Sequence, residues 1–255
     1  MGRRRARRPE PPQPISLPES PSPQVLPDLV AADETLPLRR AGEHLLVVAH
    51  LESRHGANDL PLVLDTGAAI TTLTRRGADV VELELSDESP VVALNGVGGR
   101  SEALLAVVDT LWLGDQAVGP LTVAVCDACL PGHGEGLLGI DVLSHFASEI
   151  DGDGLRLALR RSSRAPPRDL VTPFLRVAAR LRIQRRGEVR GEIEVRNLAP
   201  VDVGDVRLTI ECPHETFEFA LAHLAADEDE RVDVALPWGT ECPEFRAAVV
   251  SAHWR

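Results

Sequence analysis

Leu62-Val63-Leu64-Asp65-Thr66-Gly67-Ala68 decides how this chain of 255 residues is read. Three consecutive apolar residues fit a strand buried on both faces. The strand runs into a polar turn where a carboxylate, a hydroxyl and a glycine follow one another. A charge at the end of a buried strand is costly unless a neighbour requires it. One chemistry asks for this arrangement. Hydrolysing an amide without a metal or covalent nucleophile needs an activated water and a protonated leaving nitrogen. Two carboxylates sharing one proton supply both, because like charges held close cannot both ionise and the pair titrates as a unit. Asp65 offers one carboxylate, Thr66 a hydroxyl to hold two such loops together, and Gly67 room for close approach. Taken alone, Asp-Thr-Gly is equally an ordinary turn.

Working outward, the decisive companion is Gly136-Leu137-Leu138-Gly139-Ile140-Asp141-Val142-Leu143. Between the two stretches stands the glycine-rich Val92-Ala93-Leu94-Asn95-Gly96-Val97-Gly98-Gly99-Arg100. Together, in this order and spacing, they resemble the retropepsin-like family of aspartic peptidases, especially its bacterial, non-viral members. The resemblance covers roughly residues 43 to 160. It implies that Leu137, Leu138 and Gly139 form a strand crossing behind the catalytic loop, followed by a helix over Val142 to Phe146. It implies that Asp65, Thr66 and Gly67 are the catalytic loop. It makes Asn95, Gly96, Val97, Gly98 and Gly99 the flap, a mobile hairpin that closes over substrate and excludes water. That flap carries no aromatic residue, and Asp141 stands where many viral members have Arg or Asn. Leu111-Trp112-Leu113-Gly114 and Asp151-Gly152-Asp153-Gly154-Leu155-Arg156-Leu157 look like the family's later hairpins.

The chain holds one such loop. Asp109-Thr110-Leu111 lacks the glycine, and no second Asp-Thr-Gly or Asp-Ser-Gly occurs beyond residue 162. A carboxylate pair therefore needs a second copy, with Asp65 facing Asp65 across a twofold axis. The expected function is aspartic endopeptidase activity by a homodimer on a peptide or protein substrate. The competing reading is a catalytically silent module of the same fold that binds peptides or assembles complexes.

Apolar runs cut by turns predict strands at Leu45–Leu51, Leu60–Leu64, Ile70–Leu73, Pro90–Leu94, Glu102–Leu113, Leu121–Val125 and Leu155–Leu159. Val142–Ala147 predicts the one short helix, with Asp141 as its N-cap. The expected fold is mainly β: a retropepsin-like closed β-barrel (the acid protease fold) with one short helix, followed by a small β-sandwich domain. Eight prolines between Pro9 and Pro27 make residues 1–42 a disordered tail. The peptidase domain occupies 43–162, and Ser162-Ser163-Arg164-Ala165-Pro166-Pro167 reads as a linker. Strand-like runs at Arg176–Gln184, Glu188–Arg196, Val206–Cys212, Thr216–Ala220, Arg231–Leu236 and Phe245–Ala252 suggest an Ig-like sandwich over 170–255.

The formal charge is −12, from 27 basic and 39 acidic residues, which argues against nucleic-acid partners. Every basic residue is Arg, and five of them fall among Arg3 to Arg8. No apolar run reaches the ~20 residues of a membrane helix, and the Pro-rich start lacks a signal peptide's apolar core, so the protein is expected to be soluble and cytoplasmic. Cys126-Asp127-Ala128-Cys129 has zinc-knuckle spacing, but His133 supplies at most a third ligand, so two thiols in a turn is preferred. Cys212 and Cys242 are expected to be reduced in a cytoplasmic protein. Asp151 and Asp153 fit a hairpin turn better than a calcium loop. No metal or cofactor is expected.

Overall fold

Short apolar runs interrupted by Gly, Pro and Asp turns give a chain built almost wholly of strands. The computed structural model describes residues 33–96, 99–130, 132–163, 170–183 and 188–255. Residues 1–32, and the proposed linker from 164 onward, lie outside them. The described residues fall in one unit by their contacts.

The first strands are β1 (Glu34–Pro37), β2 (Arg39–Ala41), β3 (His44–Glu52), β4 (Ala57–Leu64) and β5 (Thr72–Leu73). Helix α1 (Arg75–Val80) follows, then β6 (Val91–Gly96), β7 (Gly99–Val108), β8 (Thr110–Leu113), β9 (Gln116–Val118) and β10 (Leu121–Val125). After β11 (Gly136–Leu138) come α2 (Ile140–Leu143), β12 (Phe146–Asp151) and β13 (Arg156–Arg161).

Ten of these strands form one sheet in the order β6-β7-β10-β5-β11-β4-β3-β8-β9, with β2 also pairing β3. The expected closed barrel is not found: among the described residues no pairing joins the end strands β6 and β9, so the path stays open. Its main core lies on one face, where Val47, Leu51, Leu62, Leu73, Leu138 and Leu157 are buried together. Each such side chain contributes about 1.5–3 kcal/mol relative to an exposed one.

Several expectations need correcting. The tail was placed over 1–42, yet β1 and β2 lie inside it. β1 pairs β13 with Leu36 opposite Leu157, and Leu36 and Leu38 reach the main core. Pro37 is tolerated because it ends an edge strand, where no neighbour asks for its missing N–H. The run expected as one strand over Glu102–Leu113 breaks at Asp109, whose N–H donates to Glu52 O at 2.9 Å. β7 thus pairs β10, while β8 turns away to pair β3.

Among the described residues there are two α-helices rather than one. Thr74 caps α1 by accepting the Gly77 N–H at 2.8 Å. Gly77 faces inward, where an added Cβ would stand 2.7 Å from Glu135 O. The second helix is displaced from the expected Val142–Ala147: α2 spans Ile140–Leu143 with Gly139 as N-cap. Phe146 is instead the first residue of β12, opposite Arg161.

The C-terminal half runs β14 (Leu175–Ile183), β15 (Val189–Asn197), β16 (Val203–Glu211), β17 (Thr216–Leu224), β18 (Asp229–Ala235) and β19 (Arg246–Trp254). They make two three-stranded antiparallel sheets, β14-β15-β18 and β17-β16-β19. In β15, Ile193 and Val195 are buried while Arg196 is exposed, the alternation expected of a strand with one wet face. The core of this half is not its own. Ala103, Leu105 and Val107 of β7 and Ala124 of β10 join Phe174, Ile193, Leu208, Ile210 and Trp254 in one buried cluster. Polar bonds cross the same junction: Thr122 Oγ1 donates to Leu170 O at 3.0 Å, and Arg54 pairs with Asp227 at 3.0 Å.

The thiols expected to be free are not. Cys126–Cys129 and Cys212–Cys242 are both disulfides, with Cα separations of 5.5 and 5.1 Å, inside the range a disulfide spans. They close loops of very different size, at sequence separations of 3 and 30. Replacing Cys212 and Cys242 by Ala is expected to cost about 3–4 kcal/mol of stability, against roughly 2 kcal/mol or less for Cys126 and Cys129, on loop-closure entropy. Urea unfolding of the two double variants checks that order.

Candidate active site

β4 carries Leu62-Val63-Leu64 through the sheet and stops at Asp65. β11 lies parallel to it, with Gly136 opposite Leu62 and Leu138 opposite Leu64. On its other side β11 runs antiparallel to β5, Gly136 facing Leu73. Leu137-Leu138 is thus inserted between the strand that enters the Asp65 loop and the one that leaves it. Two glycines permit the insertion. A Cβ on Gly136 would lie 2.3 Å from Thr72 O, and one on Gly139 would lie 2.8 Å from the Ile70 carbonyl carbon.

Both ends of the loop are tied to this inserted segment. The Asp65 N–H donates to Leu138 O at 3.1 Å, and the Ile140 N–H donates to Ala68 O at 2.8 Å. Within the loop the Gly67 N–H donates to Asp65 Oδ1 at 2.8 Å, fixing the carboxylate. Asp65 is half-buried, while Thr66 and Gly67 are exposed. Among the described residues neither Asp65 Oδ2 nor the Thr66 hydroxyl has a partner within the chain.

A second polar group braces the loop from behind, and sequence reasoning missed its role. Asp141 does not cap a helix at Val142–Ala147. Its Oδ2 accepts the Thr71 N–H at 2.7 Å, and its Oδ1 accepts the Thr71 hydroxyl at 2.8 Å and the Val142 N–H at 2.9 Å. The Thr71 hydroxyl in turn accepts the Gly139 N–H at 3.1 Å. Burial pushes the Asp141 carboxyl above the ordinary carboxylate range, against the pull of its hydrogen bonds from Thr71 and Val142. Thr71 is fully buried between loop and strand; the signal available in the sequence was a carboxylate two positions after Gly139, whose Cβ position is blocked by backbone.

The loop's apolar floor is a small cluster of Leu46, Val63 and Leu137, with Ala68, Leu130 and Ala41 packed on it. On the flap side, Asn95 and Gly96 close β6 opposite Arg100 and Gly99 of β7. Val97 and Gly98 lie outside the described residues. One face of this hairpin is anchored: Val92 and Leu94 pack on the core shared with the C-terminal half, while Val91 and Asn95 are exposed. Two clefts are present, one between Ser86–Pro90 and Arg196–Pro200, the other around Arg207 and His253; neither is lined by Asp65. Among the described residues no cluster of His, Cys, Asp and Glu is placed to hold a metal.

A half-exposed Asp sits on a loop crossed from behind by an apolar-apolar-glycine strand, the arrangement expected from the sequence's resemblance to aspartic peptidases. Residues 53–142 match the family model described as aspartyl protease. Among solved structures, a retropepsin-like aspartic protease from Rickettsia conorii is 20% identical, covering 49% of this chain and 88% of that one with a TM-score of 0.39. An aspartic proteinase from Irpex lacteus is 12% identical, covering 72% and 58% with a TM-score of 0.29. No curated protein sequence matches the chain.

Asp141→Asn is expected to cost about 1–3 kcal/mol, since the amide nitrogen would face a buried donor in place of an acceptor oxygen. The sign of the pH effect follows from the raised carboxyl. Its contribution to stability is full below the unfolded value, about 3.9, and is lost as pH rises through the higher folded value. The deficit of the variant should therefore shrink as pH rises, which urea midpoints at pH 4 and above check by difference.

Proposed function

We propose that the protein is an aspartic endopeptidase whose active form is a homodimer. The Asp65 carboxylates of two copies share a proton and activate a water against the scissile carbonyl. The observation that carries this reading is the state of the loop itself. Asp65 is held rigidly by Gly67 and Leu138, yet one carboxylate oxygen and the Thr66 hydroxyl have no partner among the described residues of their own chain. Two such loops meeting on a twofold axis give each hydroxyl a neighbour and each carboxylate its mate. Asn95 to Gly99 cover the bound peptide, which lies extended and pairs by its backbone. Residues 34–162, with β1 and β2 included, are the peptidase part and 170–255 a sandwich that supports it.

No helix among the described residues is long and apolar enough to cross a membrane. We place the protein's action in the cytoplasm, where its two disulfides are an exception to the reduced thiols usual there, on a peptide or protein substrate, without a nucleic-acid partner, cofactor or metal.

Asp65→Asn is expected to lower cleavage of a mixed peptide library at mildly acidic pH by about 10²–10⁴-fold, with unfolding temperature and dimer mass unchanged. When wild type is mixed with this variant, activity should fall as the square of the wild-type fraction. A linear fall refutes the shared dyad. No cleavage by a verified wild-type dimer, across pH and peptide diversity, makes the fold a silent peptide-binding module instead.

A further inference from the structure

We propose that the Cys126–Cys129 disulfide is a reducible regulatory site, opened by a dithiol, and that its opening loosens the floor beside Asp65. The regulatory half of this proposal rests on the peptidase reading above.

The first observation is what the bond does not do. A link between residues only 3 apart removes little freedom from an unfolded chain, so it adds little to stability. By the same thermodynamic cycle, a bond that the fold depends on less is one the fold protects less from reduction. Cys212–Cys242, closing a tenfold larger separation of 30, is held by the fold more strongly. The two bonds should therefore open in order.

The second observation is access. Cys126 is 6% exposed and sits in the core that β7 and β10 share with the C-terminal half, whereas Cys129 is partly exposed. An incoming thiolate reaches the Cys129 Sγ. It forms a mixed disulfide there and expels the Cys126 sulfur as a thiolate, which takes a proton. The second thiol of the reductant then displaces Cys129. The protein disulfide gains two electrons and two protons, and the dithiol loses them to become a disulfide.

The third observation is position. The Cys126 N–H donates to Leu73 O at 3.0 Å, at the end of the strand that leaves the Asp65 loop. Asp127 Oδ1 accepts the Arg75 N–H at 2.8 Å, where α1 begins. Immediately after Cys129, Leu130 packs on the cluster of Leu46, Val63 and Leu137, as does Ala68, three positions beyond Asp65. The disulfide thus clamps the turn that lowers Leu130 onto the floor of the site. Opening it frees that turn while the strand bonds of β10 and β11 persist.

The test uses the full chain, titrated with dithiothreitol at neutral pH without denaturant. Alkylation and mass spectrometry should show Cys126 and Cys129 labelled before Cys212 and Cys242. Amide exchange over residues 127–135 should become roughly tenfold faster, while β11, β15 and β16 stay protected. Cleavage should fall on reduction and return on reoxidation. The Cys126→Ala/Cys129→Ala variant should behave as the reduced form in both redox states. If Cys126–Cys129 opens only together with Cys212–Cys242 or with global unfolding, the proposal is wrong. It is equally overturned if the bond opens first and exchange over 127–135 does not change. Thiol labelling and exchange need neither the variant nor activity, so a protein that cleaves nothing in either state refutes the peptidase reading while these readouts still decide the redox site.

Discussion

The constraint on which the structure turns is the passage of Leu137-Leu138 between β4 and β5. Parallel to one neighbour and antiparallel to the other, this short strand completes hydrogen bonding for both arms of the Asp65 loop at once. Without it, the arms would leave buried backbone groups unpaired, at a cost of about 1–3 kcal/mol each. The two glycines that bracket it, Gly136 and Gly139, are there for lack of space: backbone of the neighbouring strand occupies the volume a side chain needs. Steric exclusion behind the loop thus becomes orientation of the carboxylate in front of it. Thr71 and Asp141 lock the same crossing with side chains, spending a buried charge to do so.

That crossing was legible in the sequence because it is local and tightly spaced. An apolar triplet before Asp-Thr-Gly, and an apolar pair between glycines, leave few alternatives. Most strands could be read in the same way, since runs such as Leu121–Val125 and Arg176–Gln184 have the right length and clear breaks. What failed was whatever depended on partners distant in the chain. β1 hides in a Pro-rich stretch because only β13 makes it a strand. The split at Asp109 depends on a bond to Glu52, and Asp141 turns to Thr71 instead of capping because of a contact 70 positions away. The disulfides were missed for a related reason: spacing shows that two cysteines can meet, and geometry shows that they do.

The C-terminal half illustrates a different limit. Its strands were readable, but its relation to the rest was not. β7 carries an unbroken apolar run, Ala103 to Val108, whose even members face the main core and whose odd members face the C-terminal sheets. A run without alternation says that both faces are buried, yet not by what. The answer makes the strand that follows the flap a common wall of two packed layers. The hairpin is thereby stiff at its base on the side of Val92 and Leu94.

That common wall also separates two notions of a boundary. The segment that carries the family's pattern ends at residue 142, and an apparent linker begins about twenty residues later. Neither point marks where the molecule can be cut. A chain ended there would present Ala103, Leu105, Val107 and Ala124 to water as one adjoining apolar strip, the kind of surface that recruits other chains indiscriminately. The recognisable half is in this sense not self-sufficient: its solubility is on loan from the half that has no recognisable motif.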